Sequence, residues 1–107
     1  MEVEIYMRRK KYFENYLEYA KKIKEIVNKK VKARIFIFGS VLTEDFSIGL
    51  SDIDIAIVSN EFGNKEKKFE ILDILFEEFF DSPFEFHVLT EKQWKFYLNF
   101  IKRYKEV

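Results

Sequence analysis

Arg34-Ile35-Phe36-Ile37-Phe38-Gly39-Ser40, a spacer of eleven residues, then Asp52-Ile53-Asp54-Ile55-Ala56-Ile57-Val58: this stretch decides the fold. The first apolar run reads as a buried strand ending in a Gly-Ser turn, and the second as a strand opened by two aspartates. Side chains alternate along a strand, so Asp52 and Asp54 share one face while Ile53, Ile55 and Ile57 share the other. At roughly 3.3 Å of rise per residue their Cα atoms are about 6.5 Å apart. Two carboxylates at that spacing can share one divalent cation or hold two, and hard cations such as Mg²⁺ take oxygen ligands. Ala56 and Val58 continue the aspartates' face as apolar residues. The carboxylates therefore sit at the mouth of a strand that is buried on both faces further along. Glycine permits positive φ or close backbone approach, and serine adds a small donor. Backbone N–H groups at such a turn can cradle a phosphate.

Outside this stretch the chain reads as one domain over residues 1–107, with 48% hydrophobic content and 13 Phe to fill one core. No apolar run reaches membrane-spanning length, and Met1-Glu2-Val3-Glu4-Ile5 lacks the basic-then-apolar layout of a signal peptide. The absence of cysteine rules out disulfides and thiolate metal sites and fits a cytoplasmic location. The net charge of zero hides a segregation: residues 1–34 sum to +6, residues 35–91 to −10 and residues 92–107 to +4. The basic ends would attract a nucleotide or an acidic partner surface. A neutral chain is a poor candidate for tight, sequence-independent nucleic-acid binding.

Tyr12, Phe13, Tyr16, Leu17, Ala20, Ile23 and Val27 recur at helical steps and predict one long helix over residues 4–30. Strands are expected at 34–38, 52–58 and 84–89, a short helix at 40–46 and a loop at 47–51. A helix is expected over 65–80, ended by Asp81-Ser82-Pro83, and a final one over 92–104. Thr90 and Gln93 fit a capping box ahead of that last helix. The fold class is α+β, with a small mixed β-sheet. On the strand at 84–89, Glu85 and His87 share one face. If this strand lies beside 52–58, Glu85 approaches the aspartate pair, and like charges there favour a bound cation. His87 reads either as a packed, hydrogen-bonded histidine or as a substrate contact.

Gly39-Ser40, Asp52-Ile53-Asp54 and the strand bearing Glu85 together resemble the nucleotidyltransferase superfamily of DNA polymerase β, in particular its minimal nucleotidyltransferases. The resemblance covers about residues 34–89 and, with the flanking helices, nearly the whole chain. It implies a small mixed sheet with helices packed mainly on one face, and transfer of a nucleoside monophosphate from a nucleoside triphosphate with Mg²⁺. By position, Asp52 and Asp54 are similar to the two metal-bridging carboxylates and Glu85 to the third acid, for a two-metal site. Gly39 and Ser40 are similar to the triphosphate-binding turn. The implied chemistry is in-line attack of a hydroxyl on the α-phosphorus with pyrophosphate leaving. Three features depart from the family pattern: Val41-Leu42-Thr43-Glu44-Asp45 stands where many relatives carry a basic residue, the spacer is one residue longer than the commonest, and the third acid is Glu85 rather than Asp.

Small relatives of this kind are often encoded beside a helical partner protein and act as antitoxins, some by attaching AMP to a partner tyrosine. The resemblance thus implies ATP as donor and a protein hydroxyl as acceptor. Two alternatives stand beside it: a non-catalytic module of the same fold that neutralises a partner by contact, and an RNA-directed transferase subunit suggested by the basic terminal helices. The aromatic residues Tyr12, Tyr16, Tyr19, Trp94, Tyr97 and Tyr104 could pack the core or form an interface, and the chain could pair with itself through a helix.

Overall fold

Two helices, not one, open the chain. The computed structural model, which describes residues 2–107, places α1 at Val3–Glu14 and α2 at Tyr16–Asn28. The break falls at Asn15, whose backbone leaves the helical region at φ −122°, ψ 27°. The Asn15 side-chain amide and its backbone N–H both donate to the Lys11 carbonyl, at 2.9 and 3.2 Å. Asparagine competes for backbone partners in this way, which is why it favours helix ends over interiors. The apolar spacing continues through the break because Phe13 of α1 and Ala20, Ile23 and Val27 of α2 enter the same core.

Four strands form one sheet in the order β3-β2-β1-β4. Strand β1 (Arg34–Phe38) lies antiparallel to β2 (Ile53–Val58), and β2 lies parallel to β3 (Phe84–Leu89). A parallel pair needs a crossover, and helix α3 (Lys65–Glu78) supplies it. Asn64 caps α3 by accepting hydrogen bonds from the N–H groups of Glu66 and Lys67, at 2.9 and 3.3 Å. Where a helix was expected over 40–46, only a 3₁₀ turn at Ser40–Leu42 forms. Thr43 Oγ1 donates to the Ser40 carbonyl at 2.8 Å and accepts from the Asp45 N–H at 3.1 Å, which diverts the backbone from further helical turns.

The final helix is also shorter than expected. Helix α4 runs over Glu91–Tyr97, held at its start by the Thr90–Gln93 capping box. Tyr104, the end of the expected helix over 92–104, instead opens a fourth strand, β4 at Tyr104–Glu106, antiparallel to β1. An unpaired β1 edge would leave backbone groups open. Strand β4 covers that edge, and Glu106 receives a two-pronged hydrogen bond from the Arg34 guanidinium at 3.0 and 2.9 Å.

The sheet is buried on both faces. Ile35, Ile37, Ile53, Ile55 and Ile57 meet α1, α2 and α3 on one side. Phe36, Phe38, Ala56, Val58 and Leu89 meet Trp94 of α4 on the other. Three of the four helices thus share one face, an α+β arrangement of the expected kind. Each of the β2 isoleucines is fully buried, contributing roughly 1.5–3 kcal/mol of transfer free energy. No helix among the described residues is long and apolar enough to cross a membrane.

Candidate active site

The register of the sheet makes the site. Phe38 of β1, Asp54 of β2 and Glu85 of β3 are cross-strand partners in a single row. Asp54 is the first residue of its face within β2, and the next two on that face, Ala56 and Val58, are buried. The carboxylate therefore stands at the edge of an apolar floor, with its side chain 22% exposed. His87 lies opposite Ala56, one step along the face from Glu85. Its Nε2 is 3.1 Å from Asp54 Oδ1 and 3.9 Å from Glu85 Oε1, and its Nδ1 is 3.3 Å from the Tyr97 hydroxyl. Phe38 packs against the imidazole at 5.0 Å between ring centres.

One ligand atom each from Asp54, Glu85 and His87 fall within 4.8 Å of one another. Asp52 stands just before β2, exposed and outside this group of three. Its charge nevertheless reaches Glu85. The Glu85 carboxyl is pushed above its ordinary range, first by partial desolvation of a side chain that stays about half exposed, then by the Asp54 charge, with Asp52 adding to the push and His87 opposing it. The structure thus joins Glu85 to Asp54 as the sequence spacing implies, and keeps Asp52 at the solvent side. The loop before Asp52 is held by Arg9, whose guanidinium donates to the Ile48 carbonyl at 2.6 Å and to the Ser51 carbonyl.

Gly39 turns the chain directly over Asp54. Its φ of +88° and ψ of −159° lie in a region that side-chain-bearing residues scarcely visit. A Cβ placed there would also run into the Asp54 carboxylate. Two independent requirements, backbone conformation and space, therefore demand glycine. After it, the Ser40 carbonyl accepts from the Thr43 N–H at 2.9 Å. The backbone N–H groups of Ser40 and Val41 find no partner among the described residues. Gly39, Val41 and Asp54 line a cleft of about 990 Å³ whose other walls carry Glu44, Asp45, Phe100, Lys102 and Arg103.

Residues 20–106 match the family model described as nucleotidyltransferase domain. The chain belongs to the nucleotidyltransferase domain family. Among solved structures, it is 51% identical to a protein described as a "putative nucleotidyltransferase", with a TM-score of 0.74 over 81% of this chain and 95% of that one. A second, described as a "putative nucleotidyltransferase" from Sulfolobus solfataricus, shares the fold at 22% identity, with a TM-score of 0.62 over 92% of this chain and 85% of that one. No curated protein matches the chain.

The donor set of this nucleotidyltransferase domain suits a divalent cation. Asp54 and Glu85 offer hard oxygen ligands side by side, and a cation would relieve the repulsion that pushes Glu85 up. The imidazole of His87 is the member of the group that spacing left undecided. Its place on the face of Glu85 was visible, but its contact with Asp54 depends on the register between β2 and β3. Tyr97 carried no signal beyond its helical spacing. Lys102 and Arg103 were hidden inside the expected helix over 92–104.

Proposed function

We propose that the chain is a Mg²⁺-dependent nucleotidyltransferase that transfers AMP from ATP to a hydroxyl group of another protein. The observation that carries the reading is the Gly39 turn lying against the carboxylate of Asp54 while Asp54 pairs with Glu85. It supports phosphate and metal-binding carboxylates meeting at one point. In this reading Asp52, Asp54 and Glu85 hold the metal. The N–H groups of Ser40 and Val41, beside Gly39, receive phosphate oxygens. His87, held between Asp54 and Tyr97, fixes the orientation of the Asp54 carboxylate. Glu85, with its side chain 55% exposed, faces the solvent from which an acceptor hydroxyl would arrive.

The reaction joins the hydroxyl oxygen to the α-phosphorus and breaks the bond from that phosphorus to the β-bridging oxygen. The nucleoside monophosphate stays on the acceptor, pyrophosphate leaves, and the proton of the attacking hydroxyl passes to solvent water. When bound, Mg²⁺ would lower the pKa of the hydroxyl and neutralise charge on the leaving group. The residues bind and orient: the turn holds the polyphosphate and the Asp54–Glu85 row sets the line of attack. A protein acceptor is favoured by the exposed aromatic pair Phe96 and Phe100, 5.3 Å apart, since Phe100 also lines the cleft. Such a pair suits an interface with a helical partner of the antitoxin–toxin kind.

Incubation with α-labelled ATP, Mg²⁺ and the product of the neighbouring gene tests this. Label is expected on the partner with the natural chain and not with Asp54→Asn. Absence of transfer to any protein acceptor would remove the reading. The second reading, a module that neutralises a partner without chemistry, draws on Glu44 and Asp45, which put negative charge into the cleft. It predicts that Asp52→Ala, Asp54→Ala still protects cells in co-expression, and failure of that variant sinks it.

A further inference from the structure

The cleft is lined by both acidic and basic side chains. Glu44 and Asp45, just beyond the Gly-Ser turn in sequence, are among its lining residues. Lys102 and Arg103, from the segment between α4 and β4, are the only cationic side chains lining the cleft among the described residues. Both are exposed, and neither forms an ion pair among the described residues. The pairing of β4 with β1 puts them there. Tyr104 is the partner of Phe38 in that antiparallel ladder. Continuing the register leads Arg103 towards Gly39 and Lys102 towards Ser40.

We propose that Lys102 and Arg103 bind the β- and γ-phosphates of the nucleoside triphosphate, an inference that rests on the nucleotidyltransferase reading above. With the reacting phosphate at Asp54, the remaining phosphates must extend along the cleft. Glu44 and Asp45 repel them, which leaves the cationic part of the lining to hold them. Arg103 supplies a guanidinium fork, which can grip two phosphate oxygens, and Lys102 a point charge next to it in sequence. No basic residue follows the Gly-Ser turn in sequence, so the segment leading into the C-terminal edge strand delivers the cations that the turn lacks. This assigns the last strand a positioning part in substrate binding beyond covering the sheet edge, since its pairing with β1 anchors the segment before it.

Calorimetric titration of Mg-ATP, ADP and AMP into the natural protein and into Lys102→Met, Arg103→Met tests the assignment. Methionine keeps the apolar stem, and Lys105→Met on β4 controls for general loss of charge. ATP affinity is expected to fall about tenfold or more in the double variant, as two charge-assisted contacts are lost. ADP should lose less, AMP should change by less than about twofold, and Lys105→Met should match the natural protein. Separately, Glu44→Gln, Asp45→Asn should bind ATP more tightly. If the natural protein binds ATP and the double variant binds it equally well, the assignment is overturned while the enzyme reading stands. If the natural protein binds no nucleoside triphosphate, both fall together.

Discussion

Gly39 and Glu85 are where the chain accepts local cost for the sake of a site. Gly39→Ala would force a methyl group into the Asp54 carboxylate at a backbone angle that alanine resists. The expected penalty is roughly 1–3 kcal/mol of stability, read by chemical denaturation, together with loss of nucleotidyl transfer. An unchanged midpoint and activity would contradict the account of the turn. Glu85 makes the opposite prediction. A carboxyl whose folded pKa is raised favours the folded state at low pH and weakens it as pH rises through that pKa. Metal-free Glu85→Gln should therefore melt higher than the natural protein at neutral pH, and the difference should vanish below the ordinary carboxylate range. If the variant melts lower at neutral pH, the crowding of Glu85 by Asp54 is wrong. Asp54 and Glu85 were legible in sequence because a period of two assigns faces without knowledge of the partners. The contact of His87 with Asp54 was not, since it exists only once β2 and β3 pair in parallel register.

Local pattern predicted β1, β2, β3 and α3 to within a residue or two, since each is bounded by strong punctuation: Gly39-Ser40, Asp52 and Asp81-Ser82-Pro83. It failed where one side chain outweighed an unbroken apolar period, or where a partner distant in sequence decided. The split at Asn15 rests on a single side chain turning back to Lys11, and the apolar period runs on unbroken. The strand at Tyr104–Glu106 forms because β1 has a free edge and Arg34 lies ready for Glu106, neither of which is written in the local sequence. Hydrogen bonding from Arg34 holds the Glu106 carboxyl below its ordinary range. That contribution is present above the unfolded pKa of a glutamate and is lost as pH falls through the folded one. Because the pair is largely solvated, its effect should be local. Glu106→Gln should raise amide exchange in β4 at neutral pH while leaving β2 protected, and equal protection of β4 in both proteins would count against the clamp. If β4 also places Lys102 and Arg103, the same variant should weaken ATP binding.

Across the whole molecule, the charge segregation seen in the sequence is partly resolved internally. Lys22 of α2 and Lys30 just beyond it face Glu78 and Glu70 of α3, at 3.7 Å each, and Arg8 meets Asp81 at 2.6 Å. Such exposed pairs add little stability, but they match the basic N-terminal helices to the chain's own acidic helix. Those helices therefore offer less attraction to nucleic acid than their charge count suggests. The basic C-terminal segment instead reaches the cleft where Asp54 stands. Strand register, the glycine bend and the edge strand converge on one small volume, and the account depends on a cation residing there. A crystal soaked with Mn²⁺ and ATP, read by anomalous scattering, tests that directly. The account predicts a peak at about 2.0–2.6 Å from oxygens of both Asp54 and Glu85, with phosphate density facing the Gly39 turn. Ions found only at the outer surface, with no peak between those two carboxylates, would contradict it.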